Sequence, residues 1–344
     1  MLNLRGEIQG IRVARAERQT LGLLASALTG GLATGAVDDA TADTLFRAAQ
    51  KHGVLGLFPL RHPSFAMSVA AARAKAMRAL KFTHRVVKAI EGAGIPVVVL
   101  KGAVAASRWP DPTLRQQSDV DVLVDKADKD RAAEALIEAK VCSQRFLDSE
   151  HMHNDSLQPA EASGLLVEVH HYFNNHHETR VEVGELLSRR VRVKSASGEL
   201  PALSAEDDAV YLAMHATTHA LQRLAWMVDL ATLRADWATA ASRARAWGVS
   251  TAVRPAWARA RELLAAPISQ RAFAALSSPR PSAALSDALL AATDSSDGAT
   301  HRFFERLFRI SVVPAAALPR VMLQKLRSRE EERVGYESLG QRPH

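Results

Sequence analysis

Apolar positions along this chain follow two rhythms. Through the first eighty residues, and again beyond residue 204, they recur three and four apart, the spacing that gives a helix one buried stripe. Between those stretches they gather into short runs bounded by Gly and Pro. The spacing predicts a helix over 41–50, ending near Gly53, and a long Ala-, Met-, Leu-, Lys- and Arg-rich helix from 66 to 84 or beyond. At Gly92, Gly94 and Pro96 the texture changes. The glycines stop the helix, and Val97, Val98, Val99 and Leu100 form the continuous apolar, Val-rich run of a buried strand. Lys101 and Gly102 follow, then a short helix over 103–108 and a loop through Trp109 and Pro112. Residues 118–124 alternate polar and apolar as a half-buried strand does, and 125–139 read as a helix. A further strand is predicted over 164–170, and a hairpin over 191–194 and 199–203 turns at Ser197 and Gly198.

From Ser204 the helical rhythm returns. Ser204 stands as N-cap with Asp207 three residues on, a variant of the capping box in which Asp replaces the preferred Glu or Gln. Helices are predicted over 206–221, 224–234, 237–247 and 252–264, with a last amphipathic one over 301–310. Residues 266–300 are rich in Pro, Ser and Ala and read as loosely structured. The expected fold class is α+β: a small mixed β-sheet core flanked by N- and C-terminal helical segments. The expected units are 1–80 (helical), 81–203 (core), 204–326 (helical) and a charged tail, 327–344, expected to be disordered.

Composition narrows the class. With 344 residues, 47% hydrophobic and 24% charged, the chain can bury a substantial core, which excludes disorder as its main state. Aromatics are only 5%, which disfavours a nucleic-acid reader built on stacked rings. The charge balance, 44 − 37 = +7, favours anionic partners without choosing among them. A single cysteine, Cys142, excludes an intrachain disulfide and a cysteine zinc site. No window approaches the ~18 consecutive apolar residues of a membrane span, and the start lacks the apolar block of a secretory signal. A cytoplasmic protein with no membrane partner is expected.

The most informative chemistry lies at Asp119 and Asp121. On a strand, residues two apart share a face, so these carboxylates project together while Val120, Val122 and Val124 face a core. Adjacent carboxylates repel unless a cation lies between them, and hard oxygen ligands of this kind suit Mg²⁺. A third acid, Glu168, sits among Leu165, Leu166, Val167 and Val169. A charged Glu in so apolar a strand is costly unless paired or bound to a cation. His170 shares its face. His151, His153, His170, His171, His176 and His177 cluster in sequence, but their spacing fits no zinc motif. His215 and His219 share a helix face and read as polar residues bordering a cleft. Asp229 reads as the buried partner of a histidine or arginine across a helix contact.

Lys101-Gly102, a spacer, then Arg115, Ser118, Asp119, Val120, Asp121, Val122, Leu123 and Val124, with Glu168, Val169 and His170 on a later strand, resemble the DNA polymerase β-type nucleotidyltransferase superfamily. Within it the chain is most similar to the bacterial uncharacterised nucleotidyltransferases, over roughly residues 80–250. The His215–His219 helix and the Asp229 helix fit that group's C-terminal pattern. The resemblance implies that Asp119, Asp121 and Glu168 are catalytic and hold one or two Mg²⁺ (or Mn²⁺) ions. It implies that Lys101, Gly102, Arg115 and Ser118 bind the nucleotide, Gly102 by letting the backbone approach the triphosphate, and that His170 is a candidate substrate contact. The reaction implied is in-line attack of an acceptor hydroxyl on the α-phosphorus of an NTP such as ATP, releasing pyrophosphate. One departure is Ala103, where the wider pattern has a second Gly or Ser.

Two other classes compete with that expectation. A catalytically degenerate relative would bind nucleotide or a partner without turnover, although all three acids are retained. A nucleic-acid binder would use the basic surface, but no reading motif supports it, and nucleic acid is expected as a partner only as an RNA end serving as acceptor. The acceptor hydroxyl, on a small molecule, peptide or protein, is not legible in the residues.

Overall fold

The computed structural model of the chain describes residues 39–57, 63–147, 154–161, 164–173, 179–276, 285–286, 288–290 and 298–313. Two helices open the described chain, α1 (Asp39–Lys51) and α2 (Pro63–Gly92). With no Gly or Pro between its first turn and Gly92, α2 runs unbroken for 30 residues, straight across residue 80. Then come β1 (Val98–Leu100), the five-residue α3 (Gly102–Ala106), β2 (Asp119–Leu123), α4 (Lys129–Glu138), β3 (Cys142–Leu147), β4 (Asn154–Pro159) and β5 (Leu166–His170). After α5 (Val183–Ser188), β6 (Val191–Ser195) and β7 (Gly198–Ala202) form the expected hairpin.

The strands build one seven-stranded mixed sheet in the order β3-β4-β5-β2-β1-β7-β6. β2 pairs antiparallel with β1 and parallel with β5, which puts β1, β2 and β5 at its centre. These three strands have two different faces. Val99, Val120, Val122, Val167 and Val169 pack with Leu80, Val86 and Ile90 of α2 and with Ala132, Ala133 and Leu136 of α4. Each fully buried valine or leucine there contributes about 1.5–3 kcal/mol. Val98, Leu100 and Leu123 point the opposite way, into a second core built with the C-terminal helices.

Those helices are α6 (Ala205–Thr218), α7 (Leu224–Thr232), α8 (Trp237–Ala246), α9 (Ser250–Leu264), α10 (Gln270–Ala275) and α11 (Gly298–Ser311). Trp237 and Trp257 meet edge-on in that core at 5.2 Å. The N-cap of α6 is as expected, with the Ser204 hydroxyl accepting from the Asp207 N–H at 3.3 Å. The reciprocal half of the box is absent, because the Asp207 carboxylate accepts from Arg189 at 2.8 Å and Arg243 at 2.7 Å instead. The sheet is thus a mixed one with helices on both faces, as the α+β expectation had it. β3 and β4 are strands the apolar pattern did not announce, and the helix expected to run to 221 stops at Thr218, where Ala220 and Leu221 turn left-handed (φ 51° and 56°). The tail at 327–344 lies outside the described residues.

Candidate active site

Strand parity puts Asp119 and Asp121 on the sheet face that looks toward the C-terminal helices, beside Leu123. The parallel register sets Asp121 opposite Glu168, and Leu123 opposite His170. Two strands separated by more than forty residues therefore present acid against acid on one face. Ligand atoms of Asp121, Glu168 and His170 all lie within 4.8 Å of one another. Asp121 is 2% exposed, and its two carboxylate oxygens face His170 and Lys101. Asp119, at the mouth of the strand, remains partly exposed.

Two cations compensate these carboxylates. Lys101 Nζ sits 3.1 Å from Asp121 and 3.6 Å from Asp119. Burial opposes the ammonium's charge, but Asp121, Asp119 and Glu168 outweigh it and hold the Lys101 pKa above its ordinary value. His170 Nε2 lies 3.0 Å from Asp121 Oδ1 and 3.4 Å from Glu168 Oε2. Burial would neutralise this imidazole, yet hydrogen bonds to Asp121 and Glu168 raise it to about 9, so it is an imidazolium at neutral pH. Burial likewise pushes the Glu168 carboxyl upward, and His170 and Lys101 more than reverse that. Next in the chain, His171 is buried with an unpartnered Nδ1, and burial, Lys129 and His170 push it down to about 4. His151, His153, His176 and His177 lie outside the described residues.

The turn after β1 is conformationally demanding. Lys101 (φ 46°) and Gly102 (φ 40°) are both left-handed, and a Cβ on Gly102 would meet Gln117 Oε1 at 2.8 Å. Gln117 is 9% exposed, and neither its oxygen nor its nitrogen has a partner. In the sequence motif it is one of two unspecified positions between Arg115 and Ser118. Its parity was the available signal, since an extended chain puts a residue two before Asp119 on the acids' side. Ser118 is exposed beside the strand's start, and Ala103 is fully buried beneath the sheet. Arg115 is 5% exposed and donates from Nε and Nη2 to Asp229 of α7 at 2.8 and 2.7 Å. Trp109 Nε1 donates to the same carboxylate at 2.9 Å. Asp229 thus has the buried arginine partner its setting suggested, and Arg115 faces that acid. Arg108 faces Asp208 of α6 at 2.9 Å, so the segment between β1 and β2 is stitched to both helices.

The family model described as "Uncharacterised nucleotidyltransferase" matches residues 32–265, well over half of the chain. The chain belongs to that family. The matched span takes in α1, the whole sheet and the helices through α9, so the family's extent reaches beyond the 80–250 of the sequence resemblance. No curated protein matches the chain. Among solved structures it is similar to an antigenic nucleotidyltransferase-like protein from Paracoccidioides brasiliensis, at 14% identity and a TM-score of 0.31, over 56% of this chain and 96% of that one. In this nucleotidyltransferase-family chain Asp121 and Glu168 offer hard carboxylate oxygens within 4.8 Å of one another, and this set fits a divalent cation of the Mg²⁺ class. No helix among the described residues is long and apolar enough to cross a membrane.

Proposed function

We propose that the chain transfers a nucleoside monophosphate from an NTP to a hydroxyl acceptor, with Asp119, Asp121 and Glu168 holding Mg²⁺ or Mn²⁺. The observation that carries this reading is the β2–β5 register, which sets Asp121 against Glu168 on the face beside Gly102. A bound divalent ion would draw charge from the phosphates and favour the ionised acceptor hydroxyl. The chain's own residues do the rest by position and charge. Lys101 spans the two aspartates and offers its ammonium to a phosphate oxygen. His170 keeps a proton on Nε2 against Asp121 and Glu168, which sets the orientation of both carboxylates. Gly102 leaves backbone room at the turn, and Gln117 offers an unpartnered amide beside it. Arg115 serves by position, fixing the loop before β2 on α7 rather than by touching phosphate.

A second reading, nucleotide binding without turnover, is favoured by one observation: Lys101 and His170 already neutralise much of the acid cluster. Incubation with each α-labelled NTP and Mg²⁺, with and without cell extract, separates the two. The enzyme reading expects label on an acceptor, lost in Asp119→Ala/Asp121→Ala while circular dichroism stays unchanged. Binding by the wild type with no transfer to any acceptor supports the second reading.

A further inference from the structure

One face of α6 carries a line of rings. Tyr211 and His215 of α6 and His219, the residue that caps its C-terminus, are four apart and so lie one above another. Tyr211 and His215 stack with centroids 6.3 Å apart and planes at 19°, and His215 meets His219 at 4.8 Å. Trp226 of α7 closes the line sideways, 5.1 Å from His215 and 5.4 Å from His219. The inner end belongs to the acid cluster: Tyr211 is buried and, after burial itself, Asp121, Glu168 and Asp119 are what raise its pKa. The outer end is open. His219 is exposed, Trp226 is half-buried, and Arg223, also exposed, lies over the Trp226 ring at 5.8 Å. Eight residues of helix separate the two ends, about 12 Å along the axis, a gap that a phosphate chain and a ribose can bridge.

Three features show that this line is built rather than incidental. The α6–α7 turn that brings Trp226 back onto His215 and His219 has two consecutive non-glycine residues, Ala220 and Leu221, in the left-handed region. Such backbone persists only where the surroundings fix it, and it gathers at functional sites. Asp229, one turn beyond Trp226, is locked to Arg115 and Trp109, which ties the indole to the loop that leads into Asp119. His215 stays uncharged at neutral pH, since burial and the nearby Lys101 lower its pKa. Uncharged planar rings beside an arginine are the chemistry on which nucleobases stack, with little regard to base identity.

We infer that His219, Trp226 and Arg223 form the platform for the nucleobase of the nucleoside triphosphate, a role that rests on the nucleotidyl-transfer reading of the acids. The platform is tested by calorimetric binding of each NTP, and of inorganic tripolyphosphate, to the full chain with Mg²⁺. His219→Ala is expected to weaken NTP binding roughly five- to hundred-fold, the usual effect of removing one stacking partner, and to leave tripolyphosphate binding unchanged. NTP binding is expected to quench tryptophan fluorescence in the wild type, with the quench lost in Trp226→Phe while affinity is retained. Equal weakening of both ligands by His219→Ala, or no weakening of either, overturns the platform and leaves the acid site standing. Tripolyphosphate binding as tight as NTP binding in the wild type also overturns it. If the wild type binds neither ligand, the nucleotide reading itself falls and takes the platform with it.

Discussion

Replacing Arg115 by Met isolates the buried contact between the sheet and the C-terminal helices. In the native chain the guanidinium is bidentate on Asp229, which is fully buried and also accepts from Trp109. Arg115→Met keeps much of the side-chain volume but leaves a buried carboxylate whose one remaining donor is the indole. Breaking such a pair from one side costs about 3–5 kcal/mol. For a domain of this size each kcal/mol lowers Tm by about 2–4 °C, so the expected loss is roughly 6–20 °C. Asp229→Leu, which strands the arginine instead, should cost a similar amount. The double variant, Arg115→Met with Asp229→Leu, removes both charges and should recover most of the loss, because a well-packed apolar pair can match a buried ion pair. Thermal and urea unfolding of the four proteins gives the coupling, which should exceed the loss in either single variant, that is, more than about 3–5 kcal/mol. Additive single effects, or an Arg115→Met protein as stable as the wild type that has lost nucleotide binding, would falsify the structural assignment and return Arg115 to the phosphate.

Gly102→Ala should cost about 1–2 kcal/mol through its left-handed backbone. Adding Gln117→Ala should restore little of it, since the crowding is against the movable end of a side chain; full restoration in urea unfolding would show that the clash sets the cost. His215 is held uncharged in the fold by burial and Lys101, so below about pH 6.5 the unfolded chain binds more protons and stability falls. Tm measured from pH 7.5 to 4.5 should show that fall, and His215→Gln should flatten it; an unchanged slope would count against the environment described. Mg²⁺ should bind at least about tenfold tighter with a non-hydrolysable NTP present than alone, a coupling of about 1.4 kcal/mol; equal affinities by calorimetry would remove the joint site.

Much of the site was legible because strand parity is a local property. The two-residue spacing of Asp119 and Asp121 assigns them one face whatever the rest of the chain does, and an acid amid Leu166, Val167 and Val169 announces an unusual environment for Glu168. What remained hidden depends on register and long-range packing. Asp121 faces Glu168 only because β5 lies parallel to β2, and nothing local fixes that neighbour. Asp229 could be read as somebody's partner, but Arg115 lies 114 residues away in sequence. β3 and β4 escaped notice because their apolar residues do not alternate: Arg145 and Asp155 sit inside those strands, satisfied by one another and by Asp130 and Lys129 across the sheet edge. Edge pairing of this kind is decided by charge partners that a periodicity cannot show.

The charge arithmetic of the cluster explains why an acid site can sit on a sheet face that elsewhere packs against helices. Asp119, Asp121 and Glu168 contribute three negative charges, and Lys101 with the protonated His170 contributes two positive ones, leaving −1 in a largely buried space. That small residue is tolerable where three unpaired carboxylates would not be. It also leaves the site poised between its ligands. A divalent cation would take the balance to +1, a charge that would attract the phosphates of a nucleotide. Without Lys101 and His170 the same ion would leave the acids at −1, which would repel the phosphates; with them it would leave +1, which would attract them. The two cations, which on first inspection argue against a metal, are on this account what would couple metal binding to substrate.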